Sequence, residues 1–112
     1  VDIWPAASTK GVEFGYGEAM EAVLKDPHIH AVAPVLMLTR KTGIPDYDFI
    51  VKIARKYPDK LVMPTFSAEK ECMEECKAYL EPRGVPTFAE IEQPFEVLSI
   101  LVRCRQAMDR PV

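Results

Sequence analysis

The stretch VLMLTRKTGIPDYDF, residues 35–49, decides the fold: four apolar residues without alternation, a polar loop, then a helix start. Extended back to Ala31, residues 31–39 are nearly all apolar, the pattern of a strand buried on both faces. Strands of that kind belong to parallel sheets covered by helices, and such sheets hold ligands outside their carboxyl ends. Pro45 suits the first position of a helix and Asp46 the positive end of its dipole. Residues 45–57 are therefore expected to be helical, with Tyr47, Ile50, Ile53, Ala54 and Tyr57 inward and Pro58 and Asp59 as the stop.

The rest of the chain repeats the alternation. Residues 1–4 read as a short strand ended by Pro5, followed by a Gly-, Ser- and Thr-containing connection through Gly17. A helical stripe of Ala19, Met20, Val23 and Leu24 then runs over residues 18–25 and stops at Asp26 and Pro27. A third strand, residues 61–66, is interrupted by Pro64. Ser67 is the expected N-cap of a helix to Leu80, with Ala68, Cys72, Cys76, Tyr79 and Leu80 inward. Arg83 and Gly84 turn the chain into a short strand, residues 85–88, whose Pro86 places it at or near an edge. The last helix covers residues 92–107, with Pro94 in its first turn and Phe95, Leu98, Leu101 and Val102 inward. Val97, Ile100 and Cys104 lie off that stripe. Four strand-to-helix units predict an α/β domain with a parallel sheet of about four strands and right-handed crossovers on both faces.

With 112 residues, 48% of them apolar, the chain can bury one core, so residues 1–112 are expected to be a single domain. A formal charge of −3 with interspersed signs argues against a nucleic-acid surface, which needs clustered Lys and Arg. The longest apolar run, residues 31–38, is too short to cross a bilayer, and residues 1–20 lack a signal-peptide layout, so a cytoplasmic protein is expected. The three cysteines fit buried, reduced thiols, Cys72 and Cys76 being one helical turn apart on an apolar face. There is no initiator Met, and an extended apolar segment begins at Val1. Both lead to the expectation of an excised piece of a larger protein.

The row of loops at the carboxyl ends comprises residues 5–17, 39–46, 66–69 and 88–92. Within it, Arg40, Lys41, Thr42, Gly43 and Asp46 combine two cations, a hydroxyl and a flexible backbone beside a helix start, a recipe for phosphate. The bland reading is a solvated turn, and the segment does not meet the strict phosphate-loop pattern. His28 and His30 fall at the opposite end of the sheet and read as surface residues. Gly11, Gly15 and Gly17 do not form a dinucleotide fingerprint. No catalytic nucleophile and no metal set is expected in the chain.

The segments VDIWP, YGEAMEAVLKDPHIHAVAPVLML, KLVMPTF and RGVPTFAEIEQPFEVLSIL, in this order and spacing, resemble the last domain of the alpha part of NDP-forming acyl-CoA synthetases. That group includes ADP-forming acetate-CoA ligase and is related to succinyl-CoA synthetase. The resemblance implies a flavodoxin-like, three-layer α/β/α domain. It also implies a parent reaction of acid, CoA and ATP to acyl-CoA, ADP and phosphate through a phosphohistidine located outside this chain. CoA, ATP or ADP and Mg²⁺ belong to that parent reaction and not to this chain alone, and the implied partners are other domains or subunits of the same synthetase. In succinyl-CoA synthetase relatives the matching helix opens on a Gly-Gly whose amides hold the phosphate; Gly43 stands alone here, and Pro45 removes a donor. Two other readings stay open: a non-catalytic flavodoxin-like binding or regulatory module, and a flavin-binding electron carrier. In the family's order a strand preceding Val1 would pair beside residues 31–38. Without it, that strand has an open edge, which leads to the expectation of self-association.

Overall fold

The computed structural model describes Asp2, Pro5, residues 10–38 and residues 47–110. Among them are four α-helices, α1 (Val12–Leu24), α2 (Asp48–Lys56), α3 (Lys70–Leu80) and α4 (Glu92–Met108). The extended segments are β1 (Ala31–Val32), β2 (Val35–Leu38), β3 (Leu61–Val62) and β4 (Thr65–Ala68). The architecture is mixed α/β with short parallel strands. None of the described helices is long and apolar enough to cross a membrane.

Helix α1 begins earlier than its apolar stripe suggested, because Gly11, at φ 96°, ends the preceding chain and its carbonyl accepts the Gly15 N–H at 3.0 Å. Gly15 and Gly17, read as loop from sequence, are helical, and Tyr16, Met20 and Leu24 form the buried side. At its end, Lys60 Nζ donates to the Leu24 carbonyl and, at 2.8 Å, to that of Asp26, a cation on the negative pole of the helix. Gly17 needs no special conformation, and a Cβ there would meet Phe49 Cδ2 at an ordinary 3.8 Å. Gly17→Ala is therefore expected to stabilise the chain by about 0.5–1 kcal/mol, read as a higher urea midpoint at unchanged slope. A loss of stability would contradict the helical assignment.

The two strand pairs share one register. Ala31 aligns with Leu61 and Val32 with Val62; Val35 to Leu38 align with Thr65 to Ala68. The same offset sets Pro34 beside Pro64, which explains the gap. Pro34 cannot donate, so a ladder bond is missing between Met63 N→Val32 O (2.9 Å) and Thr65 N→Pro34 O (2.8 Å). On the other side, Phe66 N→Phe88 O (2.9 Å) and Phe88 N→Pro64 O (3.1 Å) hold a single parallel bridge between Thr65 and Phe88. Continuing that ladder backward would require N–H groups from Pro64 and Pro86, and neither has one. The expected fourth strand is thus reduced to one bridge. The expected strand at residues 1–4 lies outside the described residues except for Asp2, which is not in a strand.

Alternation along the strands divides the interior. Even-numbered Val32, Leu36, Val62 and Phe66 meet Tyr16, Met20 and Leu24 of α1, Ile50, Val51 and Ile53 of α2, and Cys76 and Leu80 of α3. Each fully buried Leu or Ile contributes about 1.5–3 kcal/mol, so this three-helix side carries most of the stability. Polar links join α1 to α2: Glu21 accepts from the Tyr57 hydroxyl at 2.8 Å and pairs with Lys56 at 3.0 Å. These two partners hold the Glu21 carboxyl below its usual range, Tyr57 having the larger effect.

Odd-numbered residues face the other way, where α4 alone among the described helices lies. Its Pro94, Phe95 and Leu98 border a gap of about 60 Å³ with Ala31, Ala33 and Met63. The expected inward stripe is corrected here. Pro94 is buried and Leu98 half-buried, but Phe95 is 58% exposed and Leu101 and Val102 are 48% exposed. The described strands beneath are too short and too few to cover a helix of about 25 Å.

Candidate functional site at the carboxyl ends of the strands

The carboxyl ends of β2 and β4 lead into the loops that sequence reasoning singled out. Arg40, Lys41, Thr42, Gly43 and Asp46, the candidate phosphate contacts, lie outside the described residues, as do Thr39 and Pro45. The surroundings are described: Tyr47 and Asp48 open α2, Ser67 and Ala68 end β4, and Phe88 and Ala89 precede α4.

Ser67 does not cap α3. Its strand pairs two residues further than expected, through Met37 with Ser67 and Leu38 with Ala68, so the N-cap position falls to Glu69, which makes no side-chain cap bond. The result is a cleft of about 590 Å³ beside the start of α3. Phe66, Ala68 and Met73 form its apolar part, and Ser67, Lys70, Glu74 and Lys77 its polar part. Lys70, Glu74 and Lys77 recur at i, i+4 and i+7 on one helix face, a spacing visible in the sequence but not singled out there. Glu71 supplies the first-turn acid that suits the dipole of α3.

Toward the other end of α3, this helix and α2 are locked together. The Tyr79 hydroxyl donates to Asp48 Oδ1 at 2.8 Å and Lys52 Nζ stands 3.5 Å from Asp48 Oδ2, so the Asp48 carboxyl is held below its usual range, mostly by Tyr79. The Arg83 guanidinium lies 3.8 Å from the Tyr79 ring centroid and donates to the Tyr79 carbonyl at 2.8 Å. Tyr47 is buried, its ring 6.3 Å from that of Tyr79. The Tyr47 hydroxyl makes no hydrogen bond of normal geometry; burial pushes its pKa up, and the Cys76 thiol beside it adds to the effect.

Cys72 and Cys76 are buried, as the stripe implied. Burial raises the Cys76 thiol more than Tyr47 lowers it, which disfavours the reactive thiolate. His28 and His30 are exposed at the amino end of β1, His28 with Asp26 Oδ1 at 3.2 Å. Among the described residues no His, Cys, Asp and Glu side chains converge to hold a metal ion.

Sequence reasoning missed a second feature, at the outer edge of β1 and β2. Tyr16 donates its hydroxyl to the Val35 carbonyl at 2.7 Å, a group that points away from β4. Below it, an apolar groove of about 330 Å³ runs between α1 and the strand, lined by Ala19, Met20, Val23, Val32, Ala33 and Pro34. Among the described residues no strand pairs with this edge. Compared with models of protein families, with curated proteins and with solved structures, the chain matches none.

Proposed function

We propose that this chain is a flavodoxin-like, three-layer module of a cytoplasmic, NDP-forming acyl-CoA synthetase, acting as a packing domain without activity of its own. The supporting observation is the asymmetry of its layers. Among the described residues three helices pack on one side of the strands and one on the other, and at the outer edge of β2 the Val35 carbonyl accepts from the Tyr16 hydroxyl with no described strand beside it. A sheet built in this way accepts a further strand and helix from a neighbouring domain. On this reading CoA, ATP or ADP, Mg²⁺ and the phosphohistidine belong to other domains or subunits, and Arg40, Lys41, Thr42, Gly43 and Asp46 serve at most to contact the phosphate end. The cleft at Ser67, Lys70 and Lys77 favours the second reading, a non-catalytic binding module of the same form.

Incubation with γ-labelled ATP and Mg²⁺ tests the assignment. The expected result is no acid-labile label, because His28 and His30 sit at the amino end of the sheet, away from the loop row. Phosphorylation of either histidine would overturn it.

A further inference from the structure

Helix α4 is apolar around most of its circumference, more than one contact face requires. Pro94 and Leu98 serve its own sheet; Val97, Ile100 and Cys104, with Gln93 before them, form a separate seam at alternating spacings of four and three. Val97 is 38% exposed, Ile100 58% and neighbouring Leu101 48%. The seam borders a groove of about 330 Å³ whose wall includes Leu61, itself exposed, and Pro86.

The charges beside the seam are ordered. Glu96 and Arg103 occupy equivalent flanking positions seven residues apart, both are exposed, and neither has an ion pair or hydrogen bond among the described residues. Acid precedes base along the helix. Two such helices laid antiparallel about a twofold axis near Leu98 and Ser99 set Gln93 against Cys104 and Val97 against Ile100, each layer occurring twice. The same register brings Glu96 of one copy to Arg103 of the other, also twice. Sliding by one heptad would bring Arg103 against Arg103, so the charges select the register.

We infer that a second copy of this chain docks on the Val97–Ile100–Cys104 face of α4, antiparallel, with reciprocal Glu96–Arg103 pairs. The seam, Leu101 and the stems of the charged pair offer on the order of 600 Å² per copy, about 1,200 Å² in total, the lower end of a specific interface. A surface of this size fits a weak, reversible dimer. This goes beyond the synthetase assignment and stands without it, since it rests on the seam and charges of α4 and not on the edge of β2.

Sedimentation of the full chain from micromolar to several hundred micromolar tests the pairing. A monomer–dimer equilibrium is expected, abolished by Ile100→Asp with an unchanged circular dichroism spectrum. Glu96→Arg and Arg103→Glu are each expected to weaken the dimer about tenfold, and the double swap to restore it, because only a self-complementary antiparallel pair recovers its charges in that way. A monomer at every concentration, as would follow if another domain covers this face, overturns the inference. So does a dimer indifferent to Ile100→Asp or a double swap that stays weak. A diamide-induced covalent dimer through Cys104 would mean parallel helices and would also overturn it, because the antiparallel register holds those thiols about 16 Å apart along the axis, roughly three helical turns.

Discussion

Phe66→Ala is expected to remove about 3–5 kcal/mol of stability, whereas Phe95→Ala removes less than about 1 kcal/mol, although both delete the same side chain. Phe66 is 2% exposed on β4, on the side where α1, α2 and α3 converge; Phe95 is 58% exposed on α4. Deleting the first ring leaves a cavity that three helices and a parallel ladder cannot close without shifting. Deleting the second leaves a site that water already reaches. A domain of this size has only about 5–15 kcal/mol of net stability, so Phe66→Ala sits near the threshold of folding at 37 °C. Urea midpoints of the two variants decide the matter. Equal costs would mean that α4 is as firmly held as the three-helix side and would remove the layer asymmetry from which the synthetase assignment draws its support.

That asymmetry also marks where sequence reading stops. The helical stripes of α2 and α3 were legible because Ile50 and Ile53, or Cys72, Cys76 and Leu80, repeat at helical spacing and each has a strand to face. The start of α1 was not, since Gly15 and Gly17 look like a loop until Tyr16 is seen packed in the core and bonded to Val35. The truncated fourth strand follows from Pro64 and Pro86 meeting across a ladder, and only the register reveals that encounter. For α4 the period correctly predicted a helix, but a period gives faces and not what lies opposite them. Periodicity points Phe95, Leu101 and Val102 inward, yet the described strands do not reach far enough to cover them. At the candidate site, the Lys70–Glu74–Lys77 spacing was readable, yet the cleft depends on β4 running through Ser67, which its pairing with β2 determines.

The sharpest expected pH effect comes from Cys76→Asp. Cys76 is fully buried on α3, against Tyr47 of the α2 entry, with Cys72 on the preceding turn. The charged and polar groups acting on it are the Tyr47 hydroxyl, Cys72 and Glu75, and none of them is a cation. An aspartate of similar volume is accepted sterically but brings a charge with no counter-ion, at a cost of about 4 kcal/mol or more near neutral pH. The sign of the pH dependence follows from burial. The folded-state carboxyl is raised above its unfolded value of about 3.9, so the variant is least destabilised in acid. Its penalty grows as pH rises from about 4 toward the raised folded value, because the unfolded chain loses the proton first. Cys76→Asn carries the same shape and a similar polar burden without titrating, so the difference between the two variants isolates the charge. Chemical denaturation at pH 4, 5.5 and 7 should show the two converging in acid and separating by several kcal/mol at neutrality. A gap that does not change with pH would place water or a cation at Cys76, and the thiols of α3 would then have to be reconsidered as part of an accessible site and not of the core.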